Sequence, residues 1–256
     1  DKDADITILP GFIKYIVDAK KDTIIDDLHF SLKRLEKKYS INPGNKNILR
    51  RFLTLGKFML LEAEEEYEIK TSENNDFDYR IGRVRHEILD RLAKKLNITN
   101  FDYKQDAIMK LRTIFATIEM VSINFPDSKL PKLSNEELEY CKREAVKAFD
   151  FIVIKRDYLL SYPSPERMSE RLTRYESYAF GDTPRALGGV AAHLPRKAYT
   201  YFAKPYKLSE YYAEYKKNKK GTIQNMLSRL RGDLQGMLDK SMKLSQPMFK
   251  PYDIGD

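Results

Sequence analysis

Apolar residues recur every three to four positions along most of this chain, the spacing that gathers them on one side of an α-helix. In residues 23–39 the stripe is Ile24, Leu28, Leu32, Leu35 and Tyr39. From Asn45 a denser face runs through Leu49, Phe52, Leu53, Phe58, Leu60 and Leu61 into the acidic stretch "EAEEEYEIK". Residues 78–96 carry Ile81, Val84, Ile88, Leu89, Leu92 and Leu96, and residues 103–124 carry Ile108, Leu111, Ile114, Phe115, Ile118 and Val121. Each predicts a helix of ordinary length with one face to bury.

The segment 125–133, "FPDSKLPKL", breaks this rhythm with two prolines. It marks the expected boundary between helical subdomains 1–124 and 134–256, which form either two bodies or one continuous domain. Ser134 stands three positions before Glu137. This is a capping box, in which the serine oxygen takes a backbone N–H and the glutamate reaches back to the serine's own. The helix continues through Leu138, Cys141, Val146 and Phe149, and "FIVIK" at 151–155 fits either a short strand or a buried helix end. Ser164 with Pro165 opens another helix, carrying Met168, Leu172, Tyr175 and Tyr178.

The pattern then loosens. Asp182 or Thr183 is positioned to cap a short helix entered at Pro184; Gly188 and Gly189 weaken it by about 1 kcal/mol each, and Pro195 ends it. Residues 196–208, "RKAYTYFAKPYKL", alternate apolar and polar around Tyr199, Tyr201 and Ala203. They read as a strand-like arm for another chain, or a segment laid in a neighbour's groove. Ser209 can start a helix with Tyr212 and Tyr215 on one face, Lys216 to Lys220 in the last turn and Gly221 closing it. From Thr222 a long stripe follows: Ile223, Met226, Leu227, Leu230, Leu234, Met237, Leu238 and Met242. The protein's own core is the expected cover, and a partner or membrane surface is the alternative; the three methionines make the face adaptable. The tail after Leu244 reads as extended and mobile. The predicted fold is all-α: an irregular multi-helix bundle of about eight to nine helices with a loop-rich excursion near 177–208.

Composition sharpens this picture. Charged residues are 33% of the 256 and apolar ones 42%, which excludes a disordered chain and suits a large exposed helical surface. One cysteine excludes an internal disulfide framework, and no apolar run is long enough to span a bilayer. The residues given open with no secretory-leader pattern, so the expected location is intracellular, in the cytoplasm or an organelle interior. The net charge of +8 is uneven. Residues 1–150 hold 27 Lys and Arg against 27 Asp and Glu, whereas residues 151–256 hold 19 against 11. A basic rear portion favours acidic partners, although basic solvated surface also occurs without any.

Candidate chemistry is sparse. His29, His86 and His193 stand apart, and Cys141 is alone in mid-helix on the apolar stripe, where burial keeps a thiol inert. Asp26 with His29, Glu62 with Glu65 or Glu66, and His86 or Glu87 with Asp90 could each face one metal. The paired Glu-x-x-His motifs of a di-iron bundle are missing. Neither phosphate-loop nor dinucleotide glycine pattern occurs, nor does a nucleophile elbow. No catalytic residue, metal ligand or cofactor is assigned.

The leading expectation is a non-enzymatic scaffold, assembly or adaptor protein that contacts a larger complex or an acidic protein surface. The candidate contact residues are Arg196, Lys197, Tyr199, Tyr201, Phe202, Lys204, Tyr206 and Lys207. The alternative is nucleic-acid binding, with rings as stacking platforms and Lys216, Lys217, Lys219, Lys220, Arg229 and Arg231 along the backbone. A third reading is an enzyme of a family the sequence does not reveal.

Overall fold

The computed structural model describes residues 5–70, 73–181 and 193–255, and the short helix expected from Pro184 lies outside them. Among the described residues the chain is mostly helical. It opens with strands β1 (Thr7–Ile8) and β2 (Gly11–Val17), followed by α1 (Lys21–Lys38), α2 (Ile48–Glu66), α3 (Phe77–Lys95) and α4 (Ala107–Ser122). Helices α5 (Asn135–Val153), α6 (Arg156–Leu160) and α7 (Pro165–Phe180) come next. Strands β3 (Arg196–Phe202) and β4 (Tyr206–Lys207) precede α8 (Tyr212–Lys217) and α9 (Lys219–Ser241).

Local chemistry fixes these boundaries. The side chains of Asn47, Asp76 and Asp106 accept backbone N–H groups at the starts of α2, α3 and α4, and the Ser134–Glu137 capping box opens α5. Four helices stop by one device. Ser40, Glu68, Asn97 and Asn124 adopt positive φ just past α1, α2, α3 and α4. The next residue of each, Ile41, Ile69, Ile98 and Phe125, donates its N–H five residues back, to Glu36, Glu64, Ala93 and Met120. That is the Schellman closure, made here without glycine. The run "FIVIK" is the end of α5, with Ile154 as its cap.

Two compact units emerge. The larger takes residues 26–70, 73–163, 167–181 and 250–255. Leu28, Leu32, Leu35, Leu49, Phe52, Leu55, Ile88, Leu89 and Ile114 are buried in it. Helix α5 packs on both α3 and α4. Its buried face includes Cys141, Ala145 and Ala148, small side chains that let neighbouring helices come close. The segment 125–133 therefore lies inside this unit, joining helices that pack together, and the observed division falls elsewhere. The expected mobile tail is pinned: Tyr252 N–H donates to Leu160 O, and Asn47 Nδ2 donates to Asp253 O.

The smaller unit takes residues 5–25, 164–166 and 193–249. Here the strand-like arm finds its partner within the chain. Strand β3 pairs antiparallel with β2, from Gly11 opposite Phe202 to Val17 opposite Arg196. Strand β4 pairs with β1, Thr7 opposite Lys207 and Ile8 opposite Tyr206. Residues 7–17, rich in β-branched and aromatic types, supply the ladder that the arm needs. Helix α9 packs on β2 and α8. Ser245 bonds Glu166, whose other oxygen accepts the Val17 N–H.

Candidate interaction surface

The eight arm residues are spread between four situations. Tyr206 is buried, with the Arg229 guanidinium 3.9 Å above its ring. Lys197 pairs with Asp18 at 2.9 Å and Lys207 with Asp5 at 3.2 Å. Asp5 also accepts from the Ser209 hydroxyl and N–H, bonds that hold its carboxyl below the usual range. Tyr201 is half-buried against Phe12. Arg196, Tyr199, Phe202 and Lys204 face solvent, Phe202 with 65% of its surface free.

The lysine cluster is placed differently from its expected position. Asn218 ends α8 and caps α9 by accepting the Gly221 N–H, so Gly221 lies within α9 instead of closing a helix. Lys216 and Lys217 do occupy the last turn of α8, where the helix dipole favours cations. Lys219 and Lys220 are the first two residues of α9. There the exposed N–H groups make the helix end positive, and two cations cost stability instead of adding it. Local rules thus explain only half of the cluster. Lys216 lies over the Tyr212 ring at 4.3 Å and Lys219 over Tyr215 at 5.9 Å. Arg229 donates to the Tyr211 hydroxyl at 2.7 Å as well as covering Tyr206. Ring faces that a nucleobase would need are therefore partly covered by the protein's own cations. Arg231 is exposed.

Helix α9 carries the largest departure from expectation. Of its apolar stripe only Met237 is buried; Ile223 and Leu227 keep 47% and 53% of their surface exposed, and Leu234 is exposed too. Ile13 on β2, and Ile6 and Leu9 on either side of β1, are also exposed. The sequence showed the stripe clearly. It could not show which of its residues the described chain leaves uncovered.

Elsewhere the ionisable residues close on one another. His86 and Asp90 both engage Lys110, whose ammonium is buried 2.7 Å from Asp90 and 3.2 Å from His86 Nδ1. Burial and this neighbouring cation push the His86 imidazole down. Burial also lowers His29, and the charge of Arg51 adds to it. His193 is exposed. Cys141 is buried, and burial pushes its thiol up. Glu36 accepts two bonds from Arg51, each 2.7 Å, in a buried pair. Asp150 meets Arg174 at 2.6 Å; burial outweighs that cation and pushes the carboxyl up to about 6. Among the described residues no group of three or more His, Cys, Asp or Glu is placed to hold a metal ion, and no helix is long and apolar enough to cross a membrane. Comparison with protein-family models, curated proteins and solved structures finds no match to this chain.

Proposed function

We propose that the chain is an assembly or adaptor protein whose smaller unit docks on a carboxylate-rich protein face. One observation carries the reading: Ile223, Leu227 and Leu234 of the α9 stripe lie open, with Lys219 and Lys220 at the same helix's start. An exposed apolar stripe of this extent is a cost to a lone molecule, and two cations at a positive helix end add to it. Both costs reverse when an acidic partner with an apolar centre covers the helix. Arg196 and Phe202, exposed on one face of β3, add residue types enriched at interface centres to the same unit. Rings already overlaid by Lys216, Lys219 and Arg229 favour this reading over stacking on nucleic acid.

The test is cross-linking mass spectrometry on complexes isolated through a tag on the chain at its native level. Cross-links from Lys216, Lys217, Lys219 and Lys220 to acidic segments of a co-purifying protein are expected, and Leu227→Glu should abolish them without changing the far-ultraviolet circular dichroism. A chain that purifies alone, or cross-links that ignore these lysines, refutes the proposal. Salt-sensitive affinity for a single-stranded oligonucleotide, lost on reversing the four lysines, would transfer the surface to nucleic acid.

A further inference from the structure

The larger unit carries a second exposed apolar feature, on α2. Phe58 and Leu61 belong to the face that the sequence assigns to the core, yet they keep 43% and 46% of their surface exposed. Their side of α2 forms two adjoining hollows of about 520 and 450 Å³ that share Leu53 and Lys57. One is lined further by Lys46, Arg50 and Phe58, the other by Phe77 and Arg156.

The charges of this groove are unbalanced. Arg80 at one margin is engaged by Glu64. Arg50, Lys57 and Arg156 make no ion pair with any described carboxylate, and the Lys46 ammonium reaches only the Pro43 carbonyl, at 3.5 Å. Four cations therefore line the groove among its apolar side chains. Their spacing follows the helix: Arg50, Leu53, Lys57 and Leu61 recur at three- and four-residue intervals, over about 16 Å of axis.

We infer that this groove binds an acidic amphipathic helix from a partner protein. A helix lying in a groove anchors itself through apolar residues at i, i+3 or i+4, and i+7. Leu53, Phe58, Leu61 and Phe77 offer the complement to such a row. Carboxylates interleaved with the row would meet Arg50 and Lys57, which alternate with Leu53 and Leu61 along α2, and Arg156, which lines the adjoining hollow. Nucleic acid fits less well, because aliphatic Leu53 and Leu61 occupy the strip where its backbone would run. The inference goes beyond the docking role of the smaller unit and shares no residue with it.

Panning a library of random sixteen-residue peptides on the full chain tests it, with affinities of selected peptides read by fluorescence anisotropy. Enriched peptides should be net negative, with apolar residues at helical spacing. The double variant Arg50→Glu, Lys57→Glu should weaken them at least tenfold and Phe58→Ala severalfold, both retaining native circular dichroism. Lys216→Glu with Lys217→Glu should leave affinity within twofold, which separates this groove from the smaller unit's surface. No enrichment, neutral or basic peptides, affinity unchanged by the α2 variants, or displacement of the peptide by an oligothymidine would each overturn it.

Discussion

Gly56→Ala in α2 should destabilise the protein, although the same change in an open helix stabilises it. A helical alanine is favoured over glycine by about 1 kcal/mol. At Gly56 the new Cβ would stand 2.5 Å from the Tyr175 hydroxyl and 3.2 Å from Phe77 Cζ. Tyr175 is buried; its hydroxyl donates to Phe52 O at 3.1 Å and accepts from Arg171 Nε at 3.0 Å. Moving that ring costs about 1–3 kcal/mol in overpacking, and each broken bond about 1 kcal/mol more. After the alanine gain is subtracted, the net loss is about 2–4 kcal/mol. Urea denaturation by circular dichroism reads the midpoint, and amide exchange in α2 and α7 locates the loosening. Tyr175→Phe removes the clashing oxygen, so the double variant should be at least about 1 kcal/mol better than the two single losses added. Gly232→Ala and Gly236→Ala in α9, where the new Cβ would meet no described atom beyond its chain neighbours and the helix's own backbone within 4 Å, should each stabilise by about 1 kcal/mol. Equal effects at Gly56 and Gly232, or additive behaviour with Tyr175→Phe, would refute the packing argument.

Glu36→Gln should cost about 3–5 kcal/mol, because it strands the buried Arg51 charge; a urea midpoint measures it. Asp150 sets a pH dependence. Its folded value of about 6 lies above the ordinary 3.8, so the folded state holds this proton more tightly. Its contribution is largest below about pH 4 and is lost as pH rises through about 6. Asp150→Asn should flatten stability across that window, as denaturation at pH 4.5 and pH 7 would show. Glu68→Gly should stabilise by about 1 kcal/mol, because glycine takes the positive φ at the end of α2 without strain, and thermal melting reads the gain. Ser134→Ala should lose about 1 kcal/mol through the α5 cap, visible in the same melting experiment.

Where the sequence was readable, the reason was local. The stripe Ile81, Val84, Ile88, Leu89, Leu92 places α3 within a residue of its observed ends, and Ser134 with Glu137 marks the start of α5. What escaped depends on distant partners. Residues 196–202 showed the alternation of a strand, but β2, the run Gly-Phe-Ile-Lys-Tyr-Ile-Val, went unread although its β-branched and aromatic content was the signal. Without it the alternation of 196–202 has no partner strand in the chain and points to another molecule. The lysine cluster was misplaced because Asn218, a single break, moves Lys219 and Lys220 from one helix end to the other. Periodicity likewise marks a face as apolar without saying how much protein is there to cover it. Phe58, Leu61, Ile223 and Leu227 all satisfy the helical rule and all stay at the surface.

The pairing of β2 with β3 sets a timetable for the newborn chain. Val17 meets Arg196, so nearly 180 residues must leave the ribosome between the two halves of one ladder. At ordinary elongation rates that interval is on the order of ten to thirty seconds. Helices α3, α4 and α5, whose contacts are close in sequence, can collapse within that time, while the first strand waits exposed and prone to wrong partners. A stalled or truncated product ending before residue 196 would thus carry folded coils and an orphaned sticky leading segment, a natural substrate for chaperones.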